Sequence, residues 1–295
     1  MRKYLFACLL LLLFSCKGNQ KTSDNNTLSV SIAPYKYIVE AIAGDDFTVN
    51  VMVPAGASPH SYEPYPDQIK KLEKSSAYIA NGYLDFETTW FDRFKSINKN
   101  MKMIQISDHI DLLSSTHIHH HDDEGESHHH NEMAMDPHFW LSPKNGVAIA
   151  AAVKDMLIDL NPSSAETYEN NFNLLSEKIK ALDVEADSLF SLTTRKEFVI
   201  YHPNLAYLAK DYGLTELAIE QDGKEPSPSE LKHLIDEAKE EGITTVFIQK
   251  EYDKRYAQTL SSDLNANIVV IDPLSEDWIN AIREIIESLY TSLIN

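Results

Sequence analysis

Seven histidines fall within one short stretch of the chain: His117, His119, His120, His121, His128, His129 and His130. Asp122, Asp123, Glu124 and Glu126 are interleaved with them, and Ile118 is the only aliphatic residue of the run. Nothing in residues 117–130 has the periodicity needed to pack a core, and such tracts read as metal-binding. Imidazole suits zinc, copper, nickel and iron better than calcium or magnesium. The same composition also fits a solvated loop that merely tolerates histidine. The purpose of any metal capture must therefore be read elsewhere. Four scattered residues share a more informative address. His60 lies in a loop stiffened by Pro54, Pro59 and Pro64, after an alternating strand. His138 lies in Asp136-Pro137-His138-Phe139-Trp140, apolar enough to be back against the body of the protein. His202 and Asp272 each follow an apolar strand directly. In open α/β sheets ligands bind outside the carboxyl ends of strands. Three imidazoles and a carboxylate are a sufficient tetrahedral set for Zn2+. The separations are too long for spacing to argue anything. Taken singly, His60 is more often a surface residue, Asp272 before Pro273 is equally a turn residue, and Asp136 either holds the His138 ring or caps a turn. His109 and His233 are not candidates; His233 sits on an amphipathic helix beside Leu231, Leu234 and Ile235.

The elements that must position these residues are legible from hydrophobic period. Strands are predicted over 28–33, 47–53, 77–80 and 103–106, with helices over 35–43 and 67–74 and a third running through Trp90 and Phe94. After the histidine run, helices are predicted over 145–160 and 164–191. The second of these carries Tyr168, Phe172, Leu175, Ile179, Leu182, Ala186 and Leu189 at steps of four and three, a sustained apolar stripe. At about 1.5 Å per residue it spans about 40 Å and reads as a rigid strut. Strands follow over 197–201, 217–219, 244–248 and 268–271, with helices over 203–212, from Pro228 to Glu241, 254–264 and 276–293. Capping boxes are expected at Ser163–Glu166 and Ser227–Glu230. Strand and helix alternating at this spacing imply βαβ units and parallel sheets. The expected fold is α/β, two pseudo-symmetric parallel-sheet lobes joined by one long helix with the metal site in the cleft between them. The expected units are a signal peptide over 1–15, a tether over 16–27, an N-terminal lobe over 28–143, a connector over 144–192 and a C-terminal lobe over 193–295.

Composition narrows the classes. The 295 residues carry 26 Lys and Arg against 45 Asp and Glu, a formal net charge of −19. That argues against nucleic acid or an anionic lipid surface as a partner of the body, since both demand basic patches. The two cysteines, Cys8 and Cys16, both lie at the N-terminus, which excludes thiolate zinc sites in the folded body. Arg2 and Lys3 precede an apolar run over 5–14, too short to span a bilayer and suited to a signal peptide. Leu13-Phe14-Ser15-Cys16 looks like a lipobox, with Cys16 the lipidated first residue of the mature chain. A plain secretory signal is the alternative. The expected location is extracytoplasmic, attached to a bacterial membrane only through that lipid.

With these residues in view, the chain resembles the metal-binding solute-binding proteins of bacterial ABC importers, the cluster A-I family. The resemblance rests on Gly56-Ala57-Ser58-Pro59-His60 with Tyr62-Glu63-Pro64, on Asn81-Gly82, on Asp136-Pro137-His138-Phe139-Trp140, on His202 with Tyr207 and Gly213, on Glu225-Pro226-Ser227-Pro228, and on Asp272-Pro273-Leu274. It covers essentially residues 28–295. It implies that His60, His138, His202 and Asp272 bind the cargo, with the permease and its ATPase as separate chains, and no catalysis. The binding protein itself is expected to be a monomer. The manganese branch usually has a carboxylate where this chain has His202, and the His-rich insertion is typical of the zinc branch. Both point to Zn2+. Where that family often has Phe three residues after the third ligand, this chain has Leu205. The alternatives are a manganese- or iron-binding member of the family, or a zinc hydrolase, for which no H-E-x-x-H motif is present. Ligand imidazoles must be neutral, so affinity is expected to fall as pH drops through about 6.5.

Overall fold

The computed structural model describes residues 26–114, 135–220 and 226–294. The signal and lipidation reading at Cys16 and the histidines of 117–130 lie outside these residues. The first lobe is built on β1 (Thr27–Val30), β2 (Thr48–Val51), β3 (Ala77–Ala80) and β4 (Lys102–Gln105), all parallel and in the order β2-β1-β3-β4. The second uses β5 (Glu197–Ile200), β6 (Thr215–Ala218), β7 (Thr245–Gln249) and β8 (Asn267–Ile271), again all parallel, in the order β6-β5-β7-β8. The two orders are the same topology repeated. In each, the chain reverses its direction of strand addition beside the first strand, which opens a crevice at the carboxyl edge of the sheet.

Central strands such as β3 are buried on both faces, as sheets covered by crossover helices must be. Those helices are α1 (Ala33–Ala43), α2 (Pro66–Glu73) and α3 (Asp85–Ile97) in the first lobe. Between the lobes run α4 (Pro143–Leu160) and α5 (Ala165–Ser191). The second lobe carries α6 (Ala206–Tyr212), α7 (Pro228–Glu240), α8 (Arg255–Leu264) and α9 (Trp278–Ile294). Among the described residues no helix is long and apolar enough to cross a membrane.

The strut is α5, 27 residues long. Tyr168, Leu175, Ile179, Leu182 and Ala186 of its predicted stripe are buried, with Phe172 and Leu189 packed partly against the core. It is bonded to both lobes. Tyr168 donates to Asp46 at 2.8 Å and Asn171 to the Ile42 carbonyl at 2.8 Å. Further along, Asp183 accepts from Tyr212 of α6 at 2.8 Å and Glu185 pairs with Arg283 of α9 at 3.2 Å. One apolar core runs from the first sheet through α4 and α5 into α9, and a smaller one lies between the second sheet and α7 and α8. Gly146 of α4 permits this closeness: a Cβ there would stand 2.4 Å from the Trp278 ring. Lobes sharing a close-packed core move little against one another.

Two local expectations fail for stated reasons. The capping box at Ser163–Glu166 does not form. Pro162–Ser164 is a 3-10 turn, Ser163 donates to Asn161 at 2.6 Å, and Ser164 is drawn to Asp46 of the first lobe at 3.3 Å. The helix expected from Pro203 starts only at Ala206, because the buried Glu216 carboxylate accepts the Asn204 and Leu205 N–H groups at 3.0 and 2.8 Å. The box at Ser227–Glu230 forms as expected.

Candidate metal centre

Each histidine is placed by a different device, and all three rings meet at the mouths of the two crevices. His60 sits in the loop after β2, its backbone N–H turned onto the Ser58 hydroxyl at 3.3 Å. Its Nδ1 meets the carboxylate of Asp85, the first residue of α3, at 2.8 Å. His138 follows β4 across a segment closed by an antiparallel bridge between Ser114 and Met135. Asn81 donates to the carbonyl of the preceding Pro137 at 3.0 Å. The Asp136 carboxylate accepts both the His138 backbone N–H and its Nδ1, each at 2.8 Å. The turn that supplies Asn81 needs Gly82, whose φ of +110° suits no side chain and whose face abuts Ser107. His202 follows β5 and is clamped at its backbone. Gln249 accepts its N–H at 3.3 Å and donates to its carbonyl at 2.6 Å. Its Nδ1 meets Glu220 at 2.9 Å, and Tyr252 stacks on its ring at 5.5 Å.

The arrangement fixes the chemistry. An ionised carboxylate only accepts, so each Nδ1 must donate and each Nε2 must carry the lone pair. The three ligand nitrogens lie within 4.8 Å of one another, the sole such group of histidines and acids among the described residues. The His60 and His138 Nε2 atoms are 3.3 Å apart, two acceptors with nothing between them to accept from. The Nε2 of His202 is buried and has no hydrogen-bond partner. A cation among the three nitrogens would satisfy all of them, so the residues fit a metal ion. The carboxylate behind each imidazole is the usual support of a metal-bound histidine, fixing tautomer and raising basicity.

Electrostatics agree. Burial holds His138 below the ordinary histidine range, against the opposing pull of Asp136. Burial pulls His202 down to about 4, with Glu220 opposing and the other two rings assisting. Both shifts favour the neutral, ligating form, so for these two the expected proton competition moves to lower pH. The hydrogen bond from His60 keeps Asp85 below its ordinary value. Burial pushes Asp136 up, but the charge and hydrogen bonds offered by His138 outweigh it. Burial pushes the nearby Glu251 carboxyl up to about 7.

The structure thus brings together His60, His138 and His202. Asp272 is outside that group; its carboxylate is 2.7 Å from the Lys250 ammonium. Sequence reasoning missed Asp85, Glu220 and Gln249. β5 and β6 pair with Ile200 opposite Ala218, and two residues further on the same register sets His202 opposite Glu220, a juxtaposition that only the strand pairing reveals.

Comparison with known proteins bears on what this centre serves. The family model described as the periplasmic zinc-uptake complex component A, ZnuA, matches residues 29–292. The chain is similar to the metal ABC transporter substrate-binding lipoprotein SsaB of Streptococcus sanguinis, 30% identical over 91% of this chain and 88% of that one. It is 28% identical, over the same shares, to the manganese ABC transporter substrate-binding lipoprotein ScaA of Streptococcus gordonii. It spans about half (54%) of the zinc-binding protein AdcA of Streptococcus pyogenes, using 87% of its own length at 28% identity. Among solved structures, a ZnuA deletion mutant with zinc bound superposes with a TM-score of 0.83 at 32% identity, covering 92% of this chain and 98% of that one.

Proposed function

Since the chain belongs to the ZnuA family of metal-binding, substrate-binding components of ABC transporters, which are not enzymes, we propose that its cargo is zinc. His60, His138 and His202 hold the ion through Nε2, and Asp272 completes the tetrahedral set. The observation that carries this reading is the buried, partnerless Nε2 of His202 beside two further Nε2 atoms, each ring fixed by its own carboxylate. An imidazole-dominated donor set suits Zn2+, whereas Mn2+ favours carboxylate and carbonyl oxygens. A relative named for manganese keeps the second reading alive. Competition calorimetry with Zn2+ and Mn2+ on the purified chain decides between them. Zinc should displace manganese at one site per chain, and the reverse would overturn the assignment.

In this reading Cys16 carries a lipid anchor on the outer side of a bacterial membrane. The captured ion passes to a permease driven by an ATPase, both separate chains. His117, His119, His120, His121, His128, His129 and His130 collect additional, weaker ions. Deleting 117–130 should lower the zinc count per chain and keep one tight site. The bonded strut and shared core support small closure movements in place of a wide hinge. Trp140 adds to this stiffness: its indole donates to the Pro273 carbonyl at 2.9 Å, and Trp278 donates to the Trp140 carbonyl at 2.9 Å.

A further inference from the structure

We propose that Lys250 is a built-in competitor for the cargo, an ammonium that occupies the Asp272 carboxylate until a metal ion draws it away. The inference rests on Asp272 being the fourth ligand. β7 and β8 pair with Gln249 opposite Ile271, and the register continues for one residue, with the Lys250 N–H donating to the Ile271 carbonyl at 2.9 Å. Lys250 is thereby fixed beside Asp272 by backbone, not by chance of a long side chain. Its Nζ lies 2.7 Å from Asp272 Oδ2. The pair lines a groove of about 490 Å3 between β8 and α9, with Glu284, Glu287 and Ser288 along its wall. None of the three metal-site histidines lines that groove. The carboxylate is therefore parked beside the cleft, on a cation that the chain supplies itself.

The pair is also weak enough to exchange. The side chains are 60% and 33% exposed, and ion pairs in such settings contribute little and are screened by salt. An ion entering the site meets three imidazoles first and gains the carboxylate only by displacing Lys250. On release, Lys250 takes the carboxylate back, so the empty site does not leave it unpaired. Because imidazoles favour Zn2+ and carboxylates favour Mn2+, withholding Asp272 from the first encounter tilts the site towards zinc.

The test is a double-mutant cycle with Lys250→Met and Asp272→Asn on the full chain, measuring Zn2+ and Mn2+ dissociation constants by competition with a chromophoric chelator. Lys250→Met should tighten Zn2+ about two- to five-fold, the range expected for an exposed ion pair, and tighten Mn2+ more. The gain should shrink as salt is raised and vanish in the Asp272→Asn background. Four outcomes overturn the proposal in whole or in part. A loss of affinity in Lys250→Met would mean that the lysine orients the carboxylate towards the metal. A gain that persists in the double variant would mean simple repulsion between lysine and ion. Equal gains for both metals would remove the selectivity role. If Asp272→Asn alone leaves Zn2+ affinity unchanged, the failure lies in Asp272 as a ligand, and the competitor role falls with it.

Discussion

Two acid–base pairs close the carboxyl edge of the second sheet, and they differ in which partner faces the metal. His202 and Glu220 continue the register of β5 and β6; Lys250 and Asp272 continue that of β7 and β8. In the first pair the base is the candidate ligand and the acid supports it. In the second the acid is the candidate ligand and the base holds it elsewhere. Both pairs join a central strand to an edge strand, so what covers each strand end explains the difference. β5 is central, beside the crevice, and its end is covered by Gln249, Tyr252 and the first lobe; the pair's side chains are 11% and 8% exposed. The end of β8 lacks such a cover, and the Lys250 and Asp272 side chains are 60% and 33% exposed. A carboxylate behind a buried ring strengthens a ligand. An ammonium beside an exposed carboxylate competes for one.

This contrast can be broken from its strong end downwards. His202→Ala removes a ligand from the buried pair and should weaken Zn2+ by at least about a hundred-fold, one of four coordinate bonds being lost; a change under about ten-fold, by chelator competition, would place the metal elsewhere. Glu220→Gln keeps the ligand but removes its charged support and should cost about 10- to 100-fold. If it costs no more than a substitution on an exposed helix face, the carboxylate is structural only. Asp272→Asn, in the open pair, should cost less than Glu220→Gln, about ten-fold or below, because the native carboxylate must first be taken from Lys250. A larger loss than for Glu220→Gln would invert the comparison.

A further effect, on stability instead of affinity, concerns the metal-free fold. His202 is neutral down to about 4 in the folded state and titrates near 6.5 when unfolded. The unfolded chain therefore binds more protons between those values, so stability present above pH 6.5 is lost as pH falls towards 4. The buried ring should contribute on the order of 2–3 kcal/mol to that loss. Denaturant melts of the metal-free wild type and His202→Gln should differ in this window, with the variant the flatter. Parallel curves would show that His202 titrates normally.

The contrast also explains what could be read without coordinates. The alternation of short apolar strands with helices gave the two parallel lobes, and the stripe from Tyr168 to Leu189 gave the strut. The strand-end rule picked out His202 and Asp272 alike, because both follow an apolar run. It could not rank them, since what covers each strand end is a tertiary property. Glu220 and Asp85 were missed because 18 and 25 residues separate them from their histidines. In sequence they look like any acid in a loop or at a helix start. The capping box at Ser163 misled because Asn161 takes the Ser163 hydroxyl and Asp46, over a hundred residues away, takes that of Ser164.

The proposed centre holds one zinc ion among His60, His138 and His202. Zinc-edge X-ray absorption on the chain lacking 117–130, loaded with one equivalent, tests it most directly. A four-coordinate ion is expected, with three imidazole nitrogens at about 2.0–2.1 Å and one oxygen. A first shell dominated by oxygen, or one in which His202→Ala leaves the imidazole count unchanged, would contradict it.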